Sequence, residues 1–295
     1  VKILLIGGGG QVGFELQRAL APLGEIVTVD FPGCDLANVD SVRHCVLDTA
    51  PQLIVNAAAY TAVDKAESEP DLARSVNATA PAIIGETARH IGARVIHYST
   101  DYVYDGSGSL PFREDNPTNP LGVYGASKRD GDVALATSGA AYFIFRTSWV
   151  FGAHGANFVK TILRLAADRT TINVVADQIG APTSAALIAD VTAQVIGQLP
   201  YRPSNEVQSG IYHLTAAGET SWYGFAREIV RGAIARGRDL KLAPEAILPI
   251  PTSGYPLPAR RPANSRLDTA LLRKTFNLQL PPWQAGLDHV LTQLK

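Results

Sequence analysis

The chain has 295 residues, of which 46% are hydrophobic and 18% charged, with a formal net charge of -1. That length suits one large domain or two small ones around a well-filled core. The charge balance excludes an electrostatic footprint for nucleic acid or an anionic membrane. No apolar run reaches the ~18 residues that would span a bilayer.

Five short runs dense in Val and Ile predict strands at Lys2–Ile6, Ile26–Val29, Leu53–Asn56, Arg94–Ser99 and Tyr142–Arg146. They lack polar alternation, as strands buried on both faces of a parallel sheet do. Helices are predicted between them, at Gln11–Ala21, Val39–Thr49, Glu69–Ile91 and Tyr124–Thr137. In the first, Val12, Leu16, Ala19 and Leu20 recur at helical spacing. The alternation predicts an α/β fold, a doubly wound parallel Rossmann sheet with right-handed crossovers. The opening run is too short for a secretory h-region, so a cytoplasmic location is expected. Cys34 and Cys45 carry no disulfide or metal spacing, which agrees with a reducing compartment.

The second half changes texture. Helices are predicted at Asn157–Ala167, Ala185–Gln198, Ser221–Ala235 and Trp283–Leu294, and a strand at Ile211–Leu214. Six of the 19 prolines fall from Pro244 to Pro262, which predicts an ordered surface loop there. A smaller mixed α/β substrate-binding domain is expected. Residues 1–152 are expected to form the dinucleotide-binding domain, with 185–214 returning to it. Residues 153–184 and 215–295 would form the second.

Gly7, Gly10 and Gly13 have the spacing G-x-x-G-x-x-G, directly after a predicted strand and at the start of a predicted helix. Glycine permits the sharp turn, close approach to a pyrophosphate and tight helix–sheet contact, while free N–H groups face the anion. Asp30 ends the second strand, where a carboxylate accepts from the adenosine ribose hydroxyls and repels a 2′-phosphate. NADH is therefore favoured over NADPH on this residue. Asp35 and Leu36 would border the adenine. The small residues of Asn56-Ala57-Ala58-Ala59, followed by Tyr60 and Thr61, would let a flat cofactor lie on the backbone. Tyr124 and Lys128 share one helix face. An ammonium beside a phenol, together with an oxidised nicotinamide, would lower the phenol's pKa toward proton transfer near neutrality. Ser99 and Thr100 end the fourth strand, at the edge where such sheets bind ligands.

These motifs resemble those of the extended short-chain dehydrogenases/reductases. Within that superfamily the chain resembles the dTDP-4-dehydrorhamnose reductase family. The narrower likeness lies in Tyr60-Thr61-Ala62-Val63-Asp64-Lys65-Ala66-Glu67, His97-Tyr98-Ser99-Thr100-Asp101-Tyr102-Val103-Tyr104 and Arg146-Thr147-Ser148-Trp149-Val150-Phe151. It continues in Asp177-Gln178-Ile179-Gly180-Ala181-Pro182-Thr183 and Arg261-Pro262-Ala263-Asn264-Ser265. The resemblance implies reduction of the C4 ketone of dTDP-4-dehydro-L-rhamnose to dTDP-L-rhamnose by NADPH or NADH, in a cytoplasmic homodimer. Tyr124 would then be the proton donor and Lys128 the holder of the nicotinamide ribose. Thr100, with Asp101, would bind the sugar oxygen. Gly10, Gln11 and Val12 would meet the pyrophosphate, and Ala59, Tyr60 and Thr61 the nicotinamide side. Trp149, Arg261 and Asn264 would contact the sugar nucleotide.

Family members are described with a magnesium-binding carboxylate cluster at a dimer contact. Glu15 would contribute to it, but Ser184-Ala185-Ala186 supplies no carboxylate, so no metal is expected. Rival readings on the same scaffold are a 4-epimerase, a 4,6-dehydratase or a 4-ketoreductase of other stereochemistry. A dehydratase wants an Asp-Glu pair beside the catalytic hydroxyl, and here Thr100 is followed by Asp101-Tyr102. A non-catalytic nucleotide-binding regulatory subunit is a rival of another class, although such proteins often lose the Tyr or Lys that this chain keeps.

Overall fold

The computed structural model describes residues 1–199 and 209–294. Residues 200–208 of the expected returning segment, and Lys295, lie outside the described residues.

The central sheet contains β1 (Lys2–Ile6), β2 (Glu25–Val29), β3 (Leu53–Asn56), β4 (Arg94–Thr100), β5 (Ala141–Thr147) and the strand Gly210–His213. All neighbours run parallel, in the order Gly210–His213, β5, β4, β3, β1, β2. The direction of winding reverses between β1 and β3, and a doubly wound sheet opens its binding crevice at such a switch. The α/β class and the parallel doubly wound sheet are therefore as the sequence predicts.

Strand residues alternate between two cores, as the pleat requires. Ile3, Leu5, Phe143 and Phe145 pack on one face with Leu16 and Leu20 of helix α1 (Gln11–Leu20) and Ile188 and Val195 of the helix Ala185–Gln198. Leu4, Ile6 and Ile144 pack on the other with Val42 and Val46 of helix α2 (Val39–Thr49), and with Ile84 and Leu135. A third core joins Val159, Ile162, Phe225, Ile229, Trp283 and Leu287. Around it lie short sheets of both senses: Thr220–Ser221, Ile179–Gly180 and Asn264–Ser265 form one, and Val150–Phe151 pairs with Thr183–Ser184.

Three elements differ from expectation. The helix predicted at Glu69–Ile91 is divided into Pro70–Arg74, a widened turn Ser75–Thr79, and Ala80–Ile91. Pro81 has no N–H to offer the carbonyl of Asn77. That carbonyl faces Gly131 instead, where a Cβ would stand 2.0 Å from it. The proline-rich stretch holds a strand, Ile247–Ile250, parallel to Ile172–Val175. Pro249 is tolerated because this is a two-stranded ribbon, with no further partner strand among the described residues. The helix Ala270–Phe276 had no sequence signal strong enough to predict it; it packs Leu272 and Phe276 into the first core.

Candidate active site

β1 ends in the glycine turn. Gly7 has φ +88°, and a Cβ on it would stand 2.6 Å from the Ala58 nitrogen. A Cβ on Gly13 would stand 1.9 Å from the Gly7 carbonyl oxygen. Neither position admits a side chain, so the turn, the start of α1 and the end of β3 close up together. No side chain caps α1 at Gly10. Its first-turn N–H groups, those of Gln11, Val12 and Gly13, therefore suit an anion. Asp30 reaches the same turn, where the Gly9 N–H lies 3.1 Å from each carboxylate oxygen. A backbone cradle, open helix N–H groups and a carboxylate at the next strand end together fit a dinucleotide.

The Asp35 carboxylate accepts from the Ala37 N–H at 2.9 Å. Leu36 packs inward with Val42 and Val46.

A continuous line of contacts leads from the turn to Lys128. Ala58, against Gly7, donates its N–H to Asn56 Oδ1 at 3.2 Å. The Asn56 amide meets His97 Nδ1 at 3.1 Å, and His97 Nε2 lies 3.1 Å from Lys128 Nζ. Lys128 also donates to the Tyr98 carbonyl at 2.7 Å. A parallel line fixes the Ala59–Thr61 side. Asn77, in the widened turn, accepts from the Tyr60 N–H at 2.9 Å and donates to the Tyr60 carbonyl at 3.0 Å and to Ser127 Oγ at 3.1 Å. Tyr124, Ser127 and Lys128 all belong to the helix Val123–Thr137, so this helix is held to the glycine turn through β3 and β4.

Lys128 is 1% exposed. Burial lowers its ammonium to about 8, with the Asp132 carboxylate opposing the shift. Burial and the Lys128 charge hold His97 well below the usual imidazole range, so it is neutral. Tyr124 is raised by burial, with the neighbouring Thr100 acting the other way. The expected lowering by Lys128 is not what this arrangement produces. The ammonium is engaged by Tyr98 and His97, and the charges acting on the phenol are those of Asp101, Tyr102 and Asp132, all of which raise it. The Thr100 hydroxyl donates to Asp101 at 3.0 Å. Burial lifts the Asp101 carboxyl to about 6, opposed by the neighbouring Ser265 and by the hydrogen bond from Thr100.

Next to this cluster lies a cavity of about 650 Å³. Its wall includes Tyr102, Phe158, Gln178, Trp222, Arg260 and Arg261. Tyr102 meets the Tyr124 ring edge-on, with centroids 5.5 Å apart. Arg261 is anchored by Asp64 at 2.6 Å. Trp149 lies with its indole on Trp222, centroids 3.7 Å and planes 13° apart. Below it a Cβ on Gly180 would stand 2.8 Å from the ring. Its backbone is left-handed, φ +49°, a costly conformation for a tryptophan that packing on both ring faces maintains. Trp222, not Trp149, forms part of the cavity wall. The Asn264 amide is engaged internally, donating to the carbonyls of Ser107 and Leu110 at 3.2 and 2.8 Å and accepting from the Arg266 N–H at 3.2 Å. It therefore braces the loop and presents no free donor to a ligand.

A magnesium site on Glu15 does not fit these residues. Arg18 lies 2.8 Å from Asp190 and 3.4 Å from Glu15, supplying the positive charge itself.

The family model described as RmlD substrate binding domain matches residues 1–295. The dTDP-4-dehydrorhamnose reductase of Escherichia coli K12 is 47% identical over 298 residues, which cover 100% of this chain and 98% of that protein. The chain belongs to the dTDP-4-dehydrorhamnose reductase family. Two crystal structures of the family extend the likeness to three dimensions. That of the Clostridium acetobutylicum protein has a TM-score of 0.90 at 35% identity, covering 100% of this chain and 99% of that one. That of the Bacillus anthracis protein in complex with NADP has a TM-score of 0.89, also at 35% identity, with the same coverage.

Several residues of the site carried no role in the sequence reading. His97 and Asn56 lie in β4 and β3, and only the fold shows that they bridge to Lys128. Asn77 lies in a stretch that reads as plain helix. Its signal was Pro81 four residues on, which removes one helical hydrogen bond. Trp222 follows the cap residue Ser221 and had no distinguishing mark.

Proposed function

We propose that the chain reduces the C4 ketone of dTDP-4-dehydro-L-rhamnose to dTDP-L-rhamnose. The observation that carries this reading is Tyr124 beside Thr100 and one helical turn before a buried Lys128, which contacts tie back to the glycine turn. Family membership and the cavity beside the pair support it. NADPH or NADH, when bound, supplies the hydride. The chain's part is to hold the ketone and to protonate its oxygen. A phenol raised by burial is fully protonated at neutral pH, as a proton donor must be. Thr100 would orient the oxygen by turning its hydroxyl hydrogen to it from Asp101, which accepts that hydrogen in the structure. Lys128, held by His97 and the Tyr98 carbonyl, keeps one hydrogen with which to hold the ribose.

Residues 1–152 and 185–214 would carry the dinucleotide, and 153–184 and 215–295 the sugar nucleotide, with Arg261 facing its diphosphate. A cytoplasmic homodimer completes the proposal. Replacing Tyr124 by Phe tests it: turnover should fall by ~10²–10⁴ while cofactor affinity is kept. An unchanged rate removes Tyr124 from the chemistry.

A further inference from the structure

One side chain joins the dinucleotide turn to the helix that walls the cavity. Asn157 caps the helix Phe158–Asp168, with Oδ1 accepting from the Lys160 N–H at 3.2 Å. Its Nδ2 donates to the Gly152 carbonyl at 2.8 Å and to Gln11 Oε1, in the first turn of α1, at 3.0 Å. His154 pins the same loop, with Nε2 2.9 Å from the Gly9 carbonyl oxygen. A carbonyl only accepts, so this nitrogen carries the hydrogen. The His154 ring stacks on Phe14 of α1, centroids 4.3 Å and planes 5° apart.

Beyond Asn157 the contacts run into the cavity. Phe158 packs on Trp222 with centroids 4.6 Å apart, and Trp222 stacks on Trp149. Thr161, Ile162 and Leu165, further along the same helix, continue the wall. The setting of Gln11 therefore bears on where this helix stands, through the Asn157 amide, while His154 holds the preceding loop to the turn.

We propose that Asn157 is a positioning residue that couples the two halves of the site. A pyrophosphate on the first turn of α1 and a nucleotide in the cavity favour the same setting of Gln11, Asn157 and Phe158, so each tightens the other. This rests on the reading of the cavity as the dTDP-sugar site. Such coupling is reciprocal between the two ligands.

The test is a titration of NADH, with and without saturating dTDP, into the full-length wild type and the Asn157→Asp and Asn157→Ser variants. Both replacements keep an oxygen that caps the helix, and neither carries the amide donor. In the wild type, dTDP should lower the Kd for NADH by about 5-fold or more. In both variants the ratio should fall to near one, with Tm and the separate affinity for each ligand retained. A ratio that persists in both variants, or is already one in the wild type, overturns the proposal. So does a variant that loses Tm yet keeps the ratio, because Asn157 is then a cap alone. Failure of dTDP to bind the wild type is a different result: it contradicts the functional reading, and the coupling falls with it.

Discussion

Lys128 Nζ donates to the carbonyl oxygen of Tyr98 at 2.7 Å, inside the protein and next to a neutral His97. The ammonium is held by dipoles and not by a contacting carboxylate, so burial prevails and its pKa falls to about 8. Activity that needs the charged form should decline as pH rises through that value. kcat/KM is expected to fall with an apparent pKa near 8. Stability should move the other way. The folded pKa lies below the ordinary 10.5, so between about 8 and 10.5 the unfolded chain binds more protons, and Lys128 adds stability as pH rises. Comparing wild type with Lys128→Met by chemical denaturation at pH 8 and pH 10 checks the sign. A kcat/KM profile flat to pH 10 would contradict the assignment.

Asp132 and Arg146 form a buried pair at 2.9 Å, with side chains 1% and 4% exposed. Asp132→Ala leaves the Arg146 charge without its partner and should cost ~3–5 kcal/mol in urea denaturation. Because Asp132 is also the charge that supports the Lys128 ammonium, the pH at which kcat/KM falls should shift downward in the same variant. A loss below about 1 kcal/mol, the range of exposed pairs, would show that the pair is not closed in solution.

Asp30 stands at the glycine turn, against the Gly9 N–H, where its carboxylate would repel a 2′-phosphate and accept from ribose hydroxyls. Initial rates should give a higher kcat/KM for NADH than for NADPH. Asp30→Ala should shift that ratio toward NADPH by about tenfold or more, the scale of one close charge pair. A ratio left unchanged would place the ribose away from this residue.

Arg18 between Glu15 and Asp190 supplies the positive charge that a divalent cation would bring. Dialysis against EDTA should leave turnover and Tm unchanged. Activity lost on dialysis and restored by magnesium chloride would contradict this.

The sheet was legible because buried parallel strands are short and uniformly apolar, and β1 and β3 match their expected bounds residue for residue. The glycine turn was legible because its spacing is dictated by backbone clearance at Gly7 and Gly13. Tertiary contacts decided the rest. The widened turn at Asn77 depends on Pro81 and on Gly131, which comes from a helix far along the chain. Ile247–Ile250 became a strand because Ile172–Val175 offered a free edge. Asn264 read as a ligand contact because its type suits one. The fold engages its amide with Ser107 and Leu110 instead. The environment of Tyr124 was hardest to anticipate, since helical spacing places Lys128 on its face but says nothing of the carbonyl and imidazole that claim the ammonium.

The most direct measurement follows a deuterium label. NADH carrying deuterium at both C4 positions of the dihydronicotinamide is mixed with dTDP-4-dehydrorhamnose, and the sugar is read by NMR and mass spectrometry. One deuterium at C4 of dTDP-rhamnose for each NADH oxidised is the expected result. A sugar product free of label, formed with no net oxidation of NADH, would show an isomerising enzyme and contradict the assignment.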